Sequence, residues 1–276
     1  MKSVVLCALA LTLAGCGSRD DAPRPASATK NVHVLPAMTI AGLERQRTIR
    51  VYLPPSYSTT TGTYPVIYMH DGQNLFDDAT SYAGEWGIDE TLNRIAAETG
   101  LEWIVVGIDN GGEKRMNELS PWANEKYGAA EGDAYMKFII RQVKPMIDAA
   151  YRTQPGRERT AIIGSSMGGL ISHYAVLAHA DVFSRAGIFS PSYWFSDEVT
   201  NYTRSASLPS DARLLLVIGG REGRGPIRNM NAMHDLLLDK GHPEAGLRSK
   251  VVADGKHDEA FWRGEFAEAI LWLYED

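Results

Sequence analysis

The stretch Thr160-Ala161-Ile162-Ile163-Gly164-Ser165-Ser166-Met167-Gly168-Gly169-Leu170 decides the fold. Its first four residues read as a buried strand, Gly164 to Gly168 fit the pattern G-x-S-x-G, and an apolar segment from Gly168 to His179 repeats at helical spacing. The pentapeptide alone is common in ordinary Gly/Ser turns. Between a strand and a helix it becomes a nucleophile elbow, a sharp and strained turn that exposes a serine hydroxyl at the top of a sheet. The two glycines leave room for that turn, and the helix N-terminus beyond it favours developing negative charge. Ser166 is therefore the candidate nucleophile, with Ser165 a structural neighbour.

Outward from this point, short apolar runs recur at Val66 to Met69, Trp103 to Ile108, Ala161 to Ile163 and Leu214 to Ile218, as expected of strands buried on both faces. Thr48 to Leu53 instead alternates apolar and polar residues up to Pro54-Pro55, the pattern of a half-exposed strand. Helical spacing marks Ile88 to Thr99, Gly132 to Tyr151, Gly168 to His179 and Asn229 to Lys240. Strands alternating with helices predict an α/β fold, a mostly parallel central sheet with right-handed crossovers and helices on both faces. Pro145 should kink the second helix. Pro191 to Ser210 has no clear period and is expected to form a loop or a short helical insert.

The 276 residues suffice for a full core, and with the N-terminal segment set aside one domain is the simplest count. A formal net charge of -6 without any Lys/Arg block leaves no electrostatic footprint for nucleic acid. Both cysteines, Cys7 and Cys16, fall near the N-terminus, so the folded part should hold no disulfide, catalytic thiol or cysteine metal site. The histidines show no H-E-x-x-H pairing, and neither a metal nor an organic cofactor is expected.

Six stretches in chain order carry a family resemblance: Tyr64 to Phe76 (YPVIYMHDGQNLF), Glu85-Trp86-Gly87, Arg115-Met116-Asn117-Glu118, the elbow with Met167-Gly168-Gly169-Leu170, Ser190-Pro191-Ser192-Tyr193-Trp194, and Gly255 to Trp262 (GKHDEAFW). Through them the chain resembles an esterase family of the α/β hydrolases that includes esterase D, enterochelin esterases, feruloyl and acetyl-xylan esterases and the mycolyltransferases. The resemblance covers nearly all of the folded part and implies the α/β-hydrolase fold with ester chemistry. Two departures stand out. His70 replaces a usually apolar residue, which would alter pocket polarity, and Asp254-Gly255-Lys256 replaces a more glycine-rich approach to His257.

An acyl-transfer site needs a base, a group to orient it, and donors for the oxyanion. In the chain order Ser, acid, His, the base is His257: it follows the strand-like run Leu247 to Val252 and precedes a helix, so its loop can aim it at Ser166. His242, beside Pro243, reads as a turn residue, and His173 and His179 as packing or surface groups on the elbow helix. Glu222 lies just past the Leu214 run, where the resemblance puts the acid; Asp254 is the alternative. The N–H of Met167, the residue after the nucleophile, is one expected oxyanion donor. Resemblance makes Gln73 the other, although Asp71-Gly72-Gln73-Asn74 also fits a plain tight turn. Resemblance likewise makes Trp86, Arg115 and Trp194 candidate substrate contacts, Arg115 by pairing with a carboxylate or sugar oxygen. Structural roles fit all three equally well.

Met1-Lys2 followed by an apolar run from Val4 to Ala14, too short to span a bilayer, reads as a secretory signal peptide. Leu13-Ala14-Gly15-Cys16 resembles the bacterial lipobox, in which the cysteine becomes the lipidated first residue. The expected organisation is a lipoprotein signal peptide over residues 1-15, a flexible tether over 16-30 and an esterase domain over 31-276, anchored through Cys16 in the bacterial cell envelope, on the outer membrane facing the periplasm or the cell surface. The expected activity is serine carboxylic-ester hydrolysis through an acyl-enzyme, on a small-molecule or carbohydrate ester. An acyltransferase using the same residues, a catalytically silent surface-binding protein and a peptidase are the rival readings.

Overall fold

The computed structural model describes residues 24–275. The expected signal peptide and Cys16 lie outside the described residues. Eight strands, β1 (Val32–Ile40), β2 (Arg45–Tyr52), β3 (Val66–His70), β4 (Ile104–Ile108), β5 (Thr160–Ser165), β6 (Arg185–Phe189), β7 (Arg213–Gly219) and β8 (Leu247–Val252), form one sheet in the order β1-β2-β4-β3-β5-β6-β7-β8. The pairs β1–β2 and β2–β4 are antiparallel, and every neighbour from β4 to β8 is parallel. The helices are α1 (Ile88–Thr99), the single turn α2 (Arg115–Glu118), α3 (Gly132–Phe138), α4 (Lys144–Ala150), α5 (Met167–Ala178), α6 (Glu198–Ser205), α7 (Arg224–Asp239) and α8 (Glu259–Leu273).

Alternation along the strands divides the core into two layers. Val66, Tyr68, Ile104, Val106 and Ile162 pack on one face with residues of α3, α4, α5 and α7. Ile67, Met69, Val105, Ala161 and Ile163 pack on the other, against α1 and α8. Burial on both faces is why these strands read as continuous apolar runs. Successive strands β4 and β5 flank β3 on opposite sides, so the order reverses at β3. In open α/β sheets that reversal opens a crevice at the carboxyl ends of the strands, here above β3 and β5.

Two elements differ from the sequence expectation. Strand β1 carries no apolar period because it is an edge strand, mostly exposed, with Pro36 inside a register irregularity between Leu35 and Met38. The helix expected over Gly132 to Tyr151 is two α-helices joined by a π-turn (Ile139–Val143). Pro145 cannot donate to the carbonyl one turn back, and the wide turn just ahead of it absorbs that lost bond. The insert after β6 takes the short helical form expected of it, a one-turn 3₁₀ helix (Tyr193–Phe195) followed by α6. Within the expected tether, Arg24, Ser27 and Thr29 bond the body of the domain at Asp78, Asp77 and Asp89.

Candidate active site

Strand β5 is buried throughout and ends one residue before Ser166, whose backbone sits at φ 58° and ψ -117°. Such a conformation costs roughly 1–3 kcal/mol and persists only where the surroundings hold it. Here the Ser166 N–H donates to the Phe189 carbonyl at 2.9 Å, and the Ser192 N–H donates to the Ser166 carbonyl at 3.0 Å. A Cβ on Gly164 would lie 2.8 Å from the Gly168 backbone, so the turn demands glycine there. Helix α5 starts at Met167, and the Ser166 hydroxyl bonds Ser192 Oγ at 3.1 Å.

Glu222 closes the one-turn helix Gly220–Glu222 that follows β7, and its side chain is almost wholly buried. Its Oε2 lies 2.7 Å from His257 Nδ1. Its Oε1 accepts from Ser190 Oγ at 2.6 Å and from the Gly219 N–H at 2.8 Å. Burial works to raise the Glu222 pKa, but the bonds from His257, Ser190 and Gly219 outweigh it and hold the carboxyl below its ordinary value. A carboxylate accepting from Nδ1–H leaves Nε2 as the ring's proton acceptor. Ser190, itself at φ 44°, also accepts from Trp262 Nε1 at 2.8 Å, and the His257 ring meets Trp262 edge-on at 5.1 Å. Asp254 is 85 % exposed and pairs with Arg221, so the alternative acid does not reach His257.

Ser166 and His257 share a cavity of about 510 Å³ with Gln73, Asn74, Tyr82 and Arg115. Met167 is the first residue of α5 and Gln73 the second of a 3₁₀ turn (Gly72–Asn74), positions whose N–H groups have no intrahelical acceptor. The Gln73 side chain accepts from the Asn110 N–H at 3.0 Å, and its carbonyl accepts from Thr80 Oγ1 at 2.8 Å. Just before it, Asp71 stands at φ 56° and receives Arg115 Nε and Nη2 at 2.6 and 2.8 Å and Asn110 Nδ2 at 2.6 Å. Burial opposes ionisation of Asp71, yet the Arg115 guanidinium holds its pKa below the usual carboxylate range. A larger groove of about 630 Å³ between Lys30, Leu53 and Asn93 contains none of these groups.

Of the three expected substrate contacts, Arg115 lines the cavity and Trp86 and Trp194 do not. Trp86 is 3 % exposed and packs among Phe189, Trp262 and Phe266, so it supports the wall behind His257 and cannot touch a ligand. Arg115 lines the cavity, but two of its nitrogens are committed to Asp71, which makes it chiefly a brace for the Gln73 turn. Trp194 is 53 % exposed, two residues beyond Ser192, and packs against Tyr127 and Phe195 outside the cavity lining. His70 is buried under the elbow, bonded through Nδ1 to Tyr135 OH at 2.8 Å, and does not line the cavity. Burial lowers its pKa to about 4, so it is neutral and leaves pocket polarity unaltered at neutral pH. Sequence reasoning missed Ser190 and Ser192 as site residues, although both lie in the quoted S-P-S-Y-W stretch at the end of a buried strand.

Fold and site together define an α/β hydrolase with an elbow serine beside a carboxylate-bound histidine. Residues 40–273 match the family described as "Putative esterase", and the chain belongs to that family. It is 29 % identical over 242 residues to the uncharacterized protein YbbA of Bacillus subtilis, covering 83 % of this chain and 92 % of that one. It is 27 % identical over 250 residues to the iron(III) salmochelin esterase of Escherichia coli O6:H1, covering 84 % of this chain but only 54 % of that longer protein. Among solved structures, the BES protein from Bacillus cereus superposes with a TM-score of 0.72 at 20 % identity, covering 89 % of this chain and 95 % of that one, a likeness of fold.

Proposed function

We propose that the chain is a serine carboxylic-ester hydrolase working through an acyl-enzyme. The observation that carries this reading is the buried Glu222 carboxylate 2.7 Å from His257 Nδ1, on a histidine that opens into the same cavity as the elbow serine. Ser166 Oγ attacks the ester carbonyl as His257 Nε2 takes its proton, and the Met167 and Gln73 N–H groups receive the oxyanion. Collapse expels the alcohol with the proton from His257, and water then releases the acid by the same steps. The resting bond from Ser166 to Ser192 is compatible with this, because catalytic hydrogen bonds commonly tighten only when substrate binds. Relatives described as siderophore esterases and as a feruloyl esterase suggest, as substrate, a siderophore or feruloyl ester.

Replacing Ser166 by Ala should lower kcat on a p-nitrophenyl ester by on the order of 10³-fold or more with little change in thermal stability. Turnover within tenfold of wild type would remove the serine mechanism. The lipobox-like Leu13-Ala14-Gly15-Cys16 supports a lipoprotein of the bacterial envelope. On that reading Cys16→Ser moves the protein from the detergent to the aqueous phase of a Triton X-114 partition and leaves esterase activity intact; a mature N-terminus elsewhere by mass spectrometry would refute it.

A further inference from the structure

Among the residues that fasten the cavity wall, Arg24 lies outside the 40–273 span that matches the family. The loop from Leu75 to Gly87 leads from the Gln73 turn to α1 and contributes Tyr82 and Ala83 to the cavity. Tyr82 is 88 % exposed, so side-chain packing does not hold it in place. Backbone and side-chain bonds do that instead. On the inner side, Thr80 Oγ1 donates to the Gln73 carbonyl at 2.8 Å, and the Tyr82 N–H donates to Asn74 Oδ1 at 3.0 Å. On the outer side, Arg24 Nη1 donates to Asp78 Oδ1 and Ser81 Oγ, both at 3.0 Å, while Nη2 donates to the Ser81 carbonyl and, at 3.2 Å, to the Tyr82 carbonyl. Ser27 adds a reciprocal pair: its N–H donates to Asp77 Oδ1 at 3.1 Å and its Oγ accepts from the Asp78 N–H at 2.7 Å.

We propose that Arg24 is a positioning residue for substrate selection: it clamps the Tyr82 loop onto the Gln73 turn and so sets the wall against which the larger part of an ester is bound. A guanidinium suits the task because its planar fork donates to a carboxylate, a hydroxyl and two carbonyls together. An ammonium keeps the Asp78 pair and loses most of the fork. Without the clamp the Ser81 and Tyr82 carbonyls turn to water and the loop loosens, which a small acyl ester does not sense and an ester reaching Tyr82 does. The inference rests on the esterase reading of Ser166.

The test uses the full chain, with p-nitrophenyl acetate as the small substrate and p-nitrophenyl ferulate as the large one. Arg24→Met should raise KM for the ferulate by about fivefold or more while kcat/KM for the acetate stays within about twofold. Arg24→Lys should fall between. In a Tyr82→Ala background the Arg24→Met effect on the ferulate KM should vanish, because the two residues act through one loop. Equal losses on both esters with a lowered Tm mean that Arg24 only stabilises the fold, and an unchanged ferulate KM removes the clamp; either result overturns the proposal. Hydrogen–deuterium exchange at residues 77–87 reads the clamp without catalysis: faster exchange in Arg24→Met supports it and unchanged exchange overturns it. If wild type cleaves neither ester while the Ser166 variant is equally silent, the esterase reading fails, and exchange alone decides the clamp.

Discussion

At Glu222 two effects oppose each other, and their balance sets the chemistry. Burial disfavours the carboxylate, while three hydrogen bonds favour it and win. Because the folded pKa lies below the ordinary value of 4.5, the stabilisation from these bonds is present above that pH and is lost as pH falls through the folded value. Glutamine preserves the shape and removes the charge that steadies an imidazolium, so Glu222→Gln should lower kcat by on the order of 10²-fold or more. Asp254→Asn, which breaks only an exposed pair with Arg221, should cost less than about tenfold. Steady-state kinetics at matched circular dichroism compare the two, and the reverse order would transfer the acid role to Asp254.

The end of β7, which leads to Glu222, and the β8–α8 loop, which carries His257, pack together because glycine lets them touch. A Cβ on Gly219 would stand 2.4 Å from the Gly255 backbone, two residues before His257. Gly219→Ala should therefore push the histidine loop away from Glu222, with overpacking costing about 1–3 kcal/mol. Activity measured well below Tm should fall by more than the unfolded fraction explains, and an unchanged kcat would show that the loop moves without the imidazole. Gly264, inside α8, is the contrasting case, since nothing lies within 4 Å of its added Cβ. Gly264→Ala should raise stability by roughly 0.5–1 kcal/mol in urea titration, through helix propensity and a less mobile unfolded chain.

Stability of the whole molecule should depend on pH at the start of α1, where Asp89 and Glu90 of the first turn lie close to Glu85 just ahead of the helix. Burial, reinforced by the charge of Asp89, pushes the Glu90 pKa up to about 7. A folded pKa above the unfolded value of 4.5 means stability that is full below that value and declines as pH rises to about 7. Glu90→Gln should flatten the dependence of Tm on pH in that interval and raise Tm at pH 8 by about 2 °C. A parallel pH profile in the variant would assign the dependence to another group.

Local pattern determined the fold class, because strands buried on both faces must be apolar throughout and an elbow must carry small residues around its serine. Ser166 and His257 were legible for that reason: each sits beside a strand end that the chain announces within a few residues. Which carboxylate serves His257 was legible only through strand position, spacing and resemblance, since Glu222 and Asp254 both lie on loops at that edge of the sheet. The tertiary structure brings Glu222 and His257 together from 35 positions apart and turns Asp254 out to Arg221. Trp86 and Arg115 show the same limit, for a tryptophan or an arginine near a site reads alike whether it faces the cavity or the core. The choice was made by neighbours distant in sequence, Phe266 for Trp86 and Asp71 for Arg115, because burial and hydrogen-bond partnership are properties of the packed sheet and not of the segment.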